Sequence, residues 1–223
     1  MKQILIAVLS LLCCTPVLAQ NSWEIKEKRD NNVYVNANFA TIPFDCPTVN
    51  PIGASVGIAH NFKIGKQGLF TEAGVELGYQ QGRSDFGYGT TEKVPFRFVY
   101  KNLNGRIPLN IGYKLPIGDQ DMALSIYAGA NIQYYLFTKE SWRDYKDNLD
   151  WDTELLDTKL HYGLQIGANL DFNQEWFAGA EFSYNLSKMC KDELDMFLSS
   201  KLHTFNNNPN AYAISLRIGY RFR

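Results

Sequence analysis

Long apolar runs are missing from this 223-residue chain: its greasiest stretch, Ile4–Leu12, is too short to cross a bilayer as a helix and gives out before Pro16. That excludes a bundle of membrane helices. Charge of one sign is also missing. The 22 Lys and Arg nearly cancel the 23 Asp and Glu, leaving no basic excess to neutralise phosphates, so no nucleic acid is expected as a partner. Cysteine is sparse, at four residues, and no Cys/His spacing suits zinc. No glycine loop opens a helix to cradle phosphate, and no spacing matches a nucleophile motif. Neither metal nor cofactor is therefore expected. What the chain does have is aromatics, 14% of its residues, and 17 glycines, a balance that favours strands joined by many turns.

Residues 1–19 read as a cleavable signal peptide: Lys2 supplies the positive start, Ile4–Leu12 the apolar run, and Val17-Leu18-Ala19 the small-residue cleavage pattern. Cys13 and Cys14 lack the small preceding residue that a lipid-anchoring site wants. Residues 20–32 carry Glu24, Lys26, Glu27, Lys28, Arg29 and Asp30 and read as a short periplasmic lead. The rest, 33–223, forms one domain.

That domain alternates with a period of two, which puts successive side chains on opposite faces of a strand. The last stretch is the clearest. Tyr212, Ile214, Leu216, Ile218, Tyr220 and Phe222 share one face, while Ala211, Ala213, Ser215, Arg217, Gly219 and Arg221 share the other. Similar segments begin near Val33, Ile52, Leu69, Lys101, Leu124, Leu160 and Trp176, making eight strands of about 9 to 13 residues, joined by alternately short and long connections. The spacing predicts a polar loop from Gln81 to about Thr91, another from Thr138 to Thr158, and a last loop from Ser187 to Pro209. Within the last, Leu194, Phe197, Leu198 and Leu202 have helical spacing. Pro108 inside the fourth strand predicts a bulge or a missing ladder bond there.

The ending Tyr220-Arg221-Phe222 resembles the Tyr-x-Phe close of bacterial outer-membrane barrels, although Arg223 follows where the pattern has the aromatic last. Arg106-Ile107-Pro108-Leu109 running to Gly112-Tyr113-Lys114-Leu115, then Ile126-Tyr127-Ala128-Gly129-Ala130, is similar to the Ile-Pro-Leu and Tyr-x-Gly strands of the porin-family outer membrane β-barrel domain. The resemblance implies a chain of the Gram-negative outer membrane whose final strand is read by the barrel assembly machinery.

Alternation alone does not separate a membrane barrel from a soluble one with a greasy pocket, because exchanging inside for outside preserves it. The placement of aromatics does. Phe39, Tyr79, Tyr134, Tyr162, Tyr184 and Tyr212 fall at the loop-side ends of the apolar faces, and Phe62, Tyr113, Trp176, Tyr220 and Phe222 at the turn-side ends. Two such girdles around an aliphatic belt match a lipid-facing surface. The fold expected is all-β: an eight-stranded antiparallel up-and-down transmembrane barrel with short periplasmic turns and longer extracellular loops. The same parity puts Glu72, Glu76, Arg106, Lys114, Glu181, Arg217 and Arg221 in the lumen, as a structural charge network in a barrel only wide enough to be filled by side chains. Glu72 and Glu76 neighbour the strand of Arg106 and Lys114, and Glu181 the strand of Arg217.

Cys46 and Cys190 fall in the first and last loops, beside strands that adjoin if the barrel closes, so a disulfide and two free thiols are both open. His161 with Ser141, Glu154 or Ser183 is the best catalytic grouping, although a lone inward histidine usually fills and hydrogen-bonds. Asp147, Asp150, Asp152, Glu154 and Asp157 read as a solvated acidic loop before a calcium site. The expected role is structural or surface-interacting, without enzyme activity or a wide pore. A narrow porin and a rim lipid-modifying enzyme are the alternatives. Expected partners are outer-membrane lipid, the assembly machinery and an extracellular molecule held by loops that carry Trp142 and Trp151.

Overall fold

The computed structural model describes residues 30–42, 49–64, 68–88, 94–117, 122–144, 149–153, 160–172, 175–187 and 210–222. They form nine strands: β1 (Asn31–Thr41), β2 (Ile52–Ile64), β3 (Leu69–Tyr88), β4 (Val94–Pro116), β5 (Ala123–Asp144), β6 (Leu149–Thr153), β7 (Leu160–Phe172), β8 (Trp176–Asn185) and β9 (Tyr212–Phe222). All pairings are antiparallel. β1 pairs with β9 while β4 pairs with both β3 and β5, so eight strands close a ring and β6 hangs from the outer end of β5. This is the up-and-down barrel that the alternation predicts. Closure matters energetically because a sheet in lipid tolerates no unpaired edge.

The burial pattern is inverted relative to a soluble core. Along β9 the even positions from Tyr212 to Ile218 are exposed and apolar, with Ile218 57% exposed, while Ser215, Arg217 and Arg221 are buried. Exposed aliphatic side chains circle the wall, from Val35 and Val56 through Leu109, Ile132 and Ile166 to Leu216. A soluble protein would not carry so large a continuous greasy surface.

Three strands exceed the expected length. β3, β4 and β5 have 20, 23 and 22 residues against 11 in β9. Most of the loop expected after Gln80 is strand, and much of the stretch expected as a loop from Thr138 to Thr158 is the β5–β6 hairpin. Their outer ends carry polar residues on the outward face as well, which hides the alternation in sequence although the backbone ladder continues. From Tyr79 to Tyr88 the sheet rises about 20 Å beyond the apolar belt, at roughly 3.3 Å per residue and a 40° tilt. Its inner face packs Phe98 and Tyr100, both buried, and the bridge between Ile42 and Val49 caps this side.

Pro108 keeps its register against Asn131 of β5. On the β3 side the paired positions lapse between Ala73↔Leu109 and Glu76↔Arg106, as expected of a residue without an N–H. The bulge itself lies elsewhere, where Leu103 pairs with Phe137 but Asn104 pairs with Tyr135, leaving Leu136 as the extra residue.

Inside the wall, rings lie over glycines on the next strand. A Cβ built at Gly57 would collide with the Tyr34 ring, at Gly112 with Phe70, at Gly167 with Tyr127, and at Gly219 with Phe177. Each ring stands directly opposite its glycine in register. At the β2–β3 turn Gly68 adopts φ 79°, the left-handed region that glycine enters without strain.

Candidate functional site

The lumen holds the chemistry. Eight of its charged side chains are buried in two groups that balance: Glu72, Glu76, Asp171 and Glu181 against Arg106, Lys114, Arg217 and Arg221. Glu181 is the hub of the larger group. Arg106 Nη2 donates to its Oε1 at 2.6 Å, while Arg217 Nη2 and the Tyr127 hydroxyl donate to Oε2 at 3.1 and 3.2 Å. Arg106 also donates to Gln165 and lies 3.7 Å from Glu76; Arg217 lies 3.8 Å from Glu72 and donates to Asn36 at 3.1 Å. Glu72 accepts from Asn110 at 3.0 Å and Asn32 at 3.3 Å. The Arg217 guanidinium sits 4.2 Å from the centre of the Tyr34 ring, a cation over an aromatic face.

The smaller group lies toward the periplasmic ends of β4, β7 and β9. Asp171 receives Lys114 Nζ at 2.7 Å, Arg221 Nη2 at 2.6 Å and the Ser125 hydroxyl at 3.1 Å. Arg221 also stands 5.2 Å from the Phe177 ring.

The geometry departs from the pairing read off neighbouring strands. Arg106 makes its short contact across the lumen with Glu181, and its contact with adjacent Glu76 is the looser one. Lys114 meets Asp171 at 2.7 Å. Asp171 was missed as a member of the network although alternation put it on the polar face, because only the register shows that it lies between two cations. The remaining volume is filled largely by amides: Asn32, Asn36, Asn102, Asn110, Asn131 and Gln165 are all buried.

Above this plug a polar cavity opens outward. Water-sized space in it amounts to about 60 Å³, floored by Glu76 and Arg106 and walled by Gln80, Asn104, Gln133 and Tyr135 among others. That is room for about four waters.

Phe39, Tyr79, Tyr134, Tyr162, Tyr184 and Tyr212 at the outer rim, and Phe62, Trp176 and Phe222 at the inner rim, are exposed on the outside of the wall. Tyr113 and Tyr220 are half-buried there, Tyr220 packing 5.1 Å from the Trp176 ring. His161 is buried inside. Its Nδ1 lies 2.9 Å from the Ser187 hydroxyl and its ring 4.5 Å from that of Tyr135, so the hydroxyl it meets belongs to Ser187. Ser141 stands opposite Val99 in the raised sheet and Ser183 opposite Gln165.

Cys46, Cys190, Glu154 and the helical stretch 189–202 lie outside the described residues, as do Asp147 and Asp157. Asp150 and Asp152 belong to β6 and not to a loop. Among the described residues no group of three or more His, Cys, Asp or Glu is placed to hold a metal ion, and no helix is long and apolar enough to cross a membrane.

Similar architectures recur among solved structures. The attachment invasion locus protein Ail of Yersinia pestis is 16% identical, with 87% of this chain and 99% of that one covered and a TM-score of 0.40. Neisserial surface protein A is 13% identical over 86% and 97%, with a TM-score of 0.42. The outer membrane enzyme PagL is 12% identical over 82% and 97%, at 0.36. No curated protein matches the chain significantly. The family model for the outer membrane protein beta-barrel domain matches residues 5–222. With lipid-facing aliphatics, a polar plug and that match, the chain belongs to the outer membrane protein beta-barrel domain family and resides in the bacterial outer membrane.

Proposed function

We infer that the protein is a structural and surface-interacting barrel, not a channel or an enzyme. The observation that carries this reading is the plug around Glu181, whose carboxylate is shared by two arginines at 2.6 and 3.1 Å. A solute would have to break several charge-assisted bonds in a lumen an eight-stranded wall leaves no wider than its side chains. Function then falls to what stands outside the bilayer: the raised sheet of β3, β4, β5 and β6, and the connections above it. Two experiments test this. Planar bilayers should show no sustained conductance steps from the refolded parent, and intact cells displaying the protein should retain an extracellular ligand that cells lacking it do not. Steady ohmic steps would replace this reading with that of a narrow porin, which the outward cavity above Glu76 and Arg106 favours.

A further inference from the structure

We propose that the outward cavity above the plug is a binding site for one monovalent cation, either an alkali ion or the ammonium group of a short primary amine. The site goes beyond the surface-interaction reading and takes from it only the plug as a floor. Three observations meet here. The first is a count of charge. The larger lumen group sets three carboxylates, Glu72, Glu76 and Glu181, against two guanidiniums, Arg106 and Arg217. The compensating positive charge lies in the smaller group, where Lys114 and Arg221 share Asp171. Lys114 is eight residues along β4 from Arg106, roughly 26 Å of extended chain, too far to neutralise the surplus where it stands.

The second is where that surplus falls. Both guanidiniums make their short contacts with Glu181, at 2.6 and 3.1 Å, and Glu72 accepts from Asn110 and Asn32. Glu76 accepts no hydrogen bond among the described residues. Its side chain is 5% exposed, its Oε2 is enclosed without a partner, and Arg106 stands 3.7 Å from that oxygen, beyond hydrogen-bond reach. Because Glu76 lines the cavity floor, its remaining exposure opens there. Water in the cavity would satisfy the carboxylate's hydrogen bonds and leave its charge, whereas one monovalent cation answers both. A divalent ion would overshoot the count by one.

The third is the orientation of the amides around it. Glu72 can only accept, so Asn110 turns its N–H to that carboxylate and its carbonyl to Gln165, whose Nε2 donates at 2.6 Å. The Gln165 carbonyl then accepts from Asn131 Nδ2 at 3.0 Å and from Arg106. A carboxylate at one end thus orients the whole relay, and Asn131, which lines the cavity, is left with its carbonyl oxygen to offer there. Asn104, also in the lining, gives its N–H to Asn102 at 2.7 Å and keeps its carbonyl oxygen likewise. Gly78 is the next inward position of β3 after Glu76, and a Cβ there would stand 3.2 Å from Asn104 Oδ1, so the missing side chain leaves room beside that oxygen. One carboxylate with carbonyl oxygens suits a hard cation or an ammonium donor, and space for about four waters admits either.

The test uses the full chain refolded into phosphatidylcholine nanodiscs at neutral pH, in N-methylglucamine chloride, whose cation is too large for the cavity. Sodium, potassium and ethylammonium chlorides replace it at constant ionic strength, and NMR follows the side-chain amides of Asn104 and Asn131 and the carboxyl carbon of Glu76. At least one of the three cations should shift these signals saturably, the inorganic ions alone assigning an alkali site and ethylammonium alone an ammonium site. Glu76→Gln should raise the midpoint at least about 10-fold. Asp85→Asn, which removes the same charge from the exposed outer wall, should leave it unchanged. No saturable shift with any of the three overturns the proposal, as does an equal midpoint in Glu76→Gln. A Glu76 carboxyl that is protonated at neutral pH and unmoved by the cations overturns it too, and that reading needs no variant to fold. Conductance steps with the saturable shifts intact would overturn the closed plug and keep the cation site.

Discussion

Replacing Glu181 with Gln keeps the shape of the plug's hub and removes its charge. In the parent that carboxylate is wholly buried and takes contacts from Arg106 at 2.6 Å and Arg217 at 3.1 Å, whose remaining carboxylates are 3.7 and 3.8 Å away. The size of the effect reports the medium. At a charge separation of about 4 Å one pair is worth roughly 1 kcal/mol in bulk water and about 4 kcal/mol at the effective dielectric of a protein. A water-filled pore would therefore lose little, whereas a packed plug should lose about 3 to 5 kcal/mol, the usual cost of stranding a buried charge. With a urea dependence of roughly 2 kcal/mol per molar, the unfolding midpoint of the refolded barrel should fall by about 1.5 M or more. Arg106→Gln should cost a similar amount. Because the pair loses opposite charges, the double variant should be at least about 1 kcal/mol more stable than the sum of the single losses implies. A Glu181→Gln barrel within about 0.5 kcal/mol of the parent would refute the packed plug.

Leu216→Arg, outward at the middle of β9 and next to the inward Arg217, should cost about 2 to 4 kcal/mol in lipid, measured by urea unfolding in vesicles; a neutral result would contradict the lipid-facing assignment. Gly57→Val should displace the Tyr34 ring and cost about 1 to 3 kcal/mol, while Gly105→Ala, whose Cβ would meet nothing within 4 Å, should be neutral or slightly stabilising. The exposed Asp85 carboxyl is held below its ordinary value of 3.8, chiefly by its hydrogen bond from Arg97. A depressed pKa means that the contact is present above the ordinary value and lost as pH falls through the lowered one, so an NMR titration should place the midpoint below 3.8 and Arg97→Gln should raise it.

Much of the barrel was legible because a strand between oil and a polar lumen must alternate, and alternation is a local property of sequence. From Tyr212 to Phe222 it is unbroken, and the strand count, the closure of β1 on β9 and the inward parity of the charged residues follow from reading it strand by strand. The outer reaches of β3, β4 and β5 were illegible for the converse reason. Gln81, Arg83 and Asp85 face water outside, so polarity no longer distinguishes the two faces although the ladder runs on to Tyr88. The bulge at Leu136 was hidden too, since one extra residue among Tyr135, Leu136 and Phe137 leaves no break in apolar character.

The sequence by itself determined which face of each strand meets lipid, because side-chain period and the sorting of rings to strand ends are written along the chain. Only the tertiary structure decided which charges meet. Arg106 reaches Glu181 across the lumen, and Asp171 receives both Lys114 and Arg221. Such pairings depend on the stagger of strands around a closed ring and on the reach of long side chains across it. Both are set by the whole wall at once and by no segment of it.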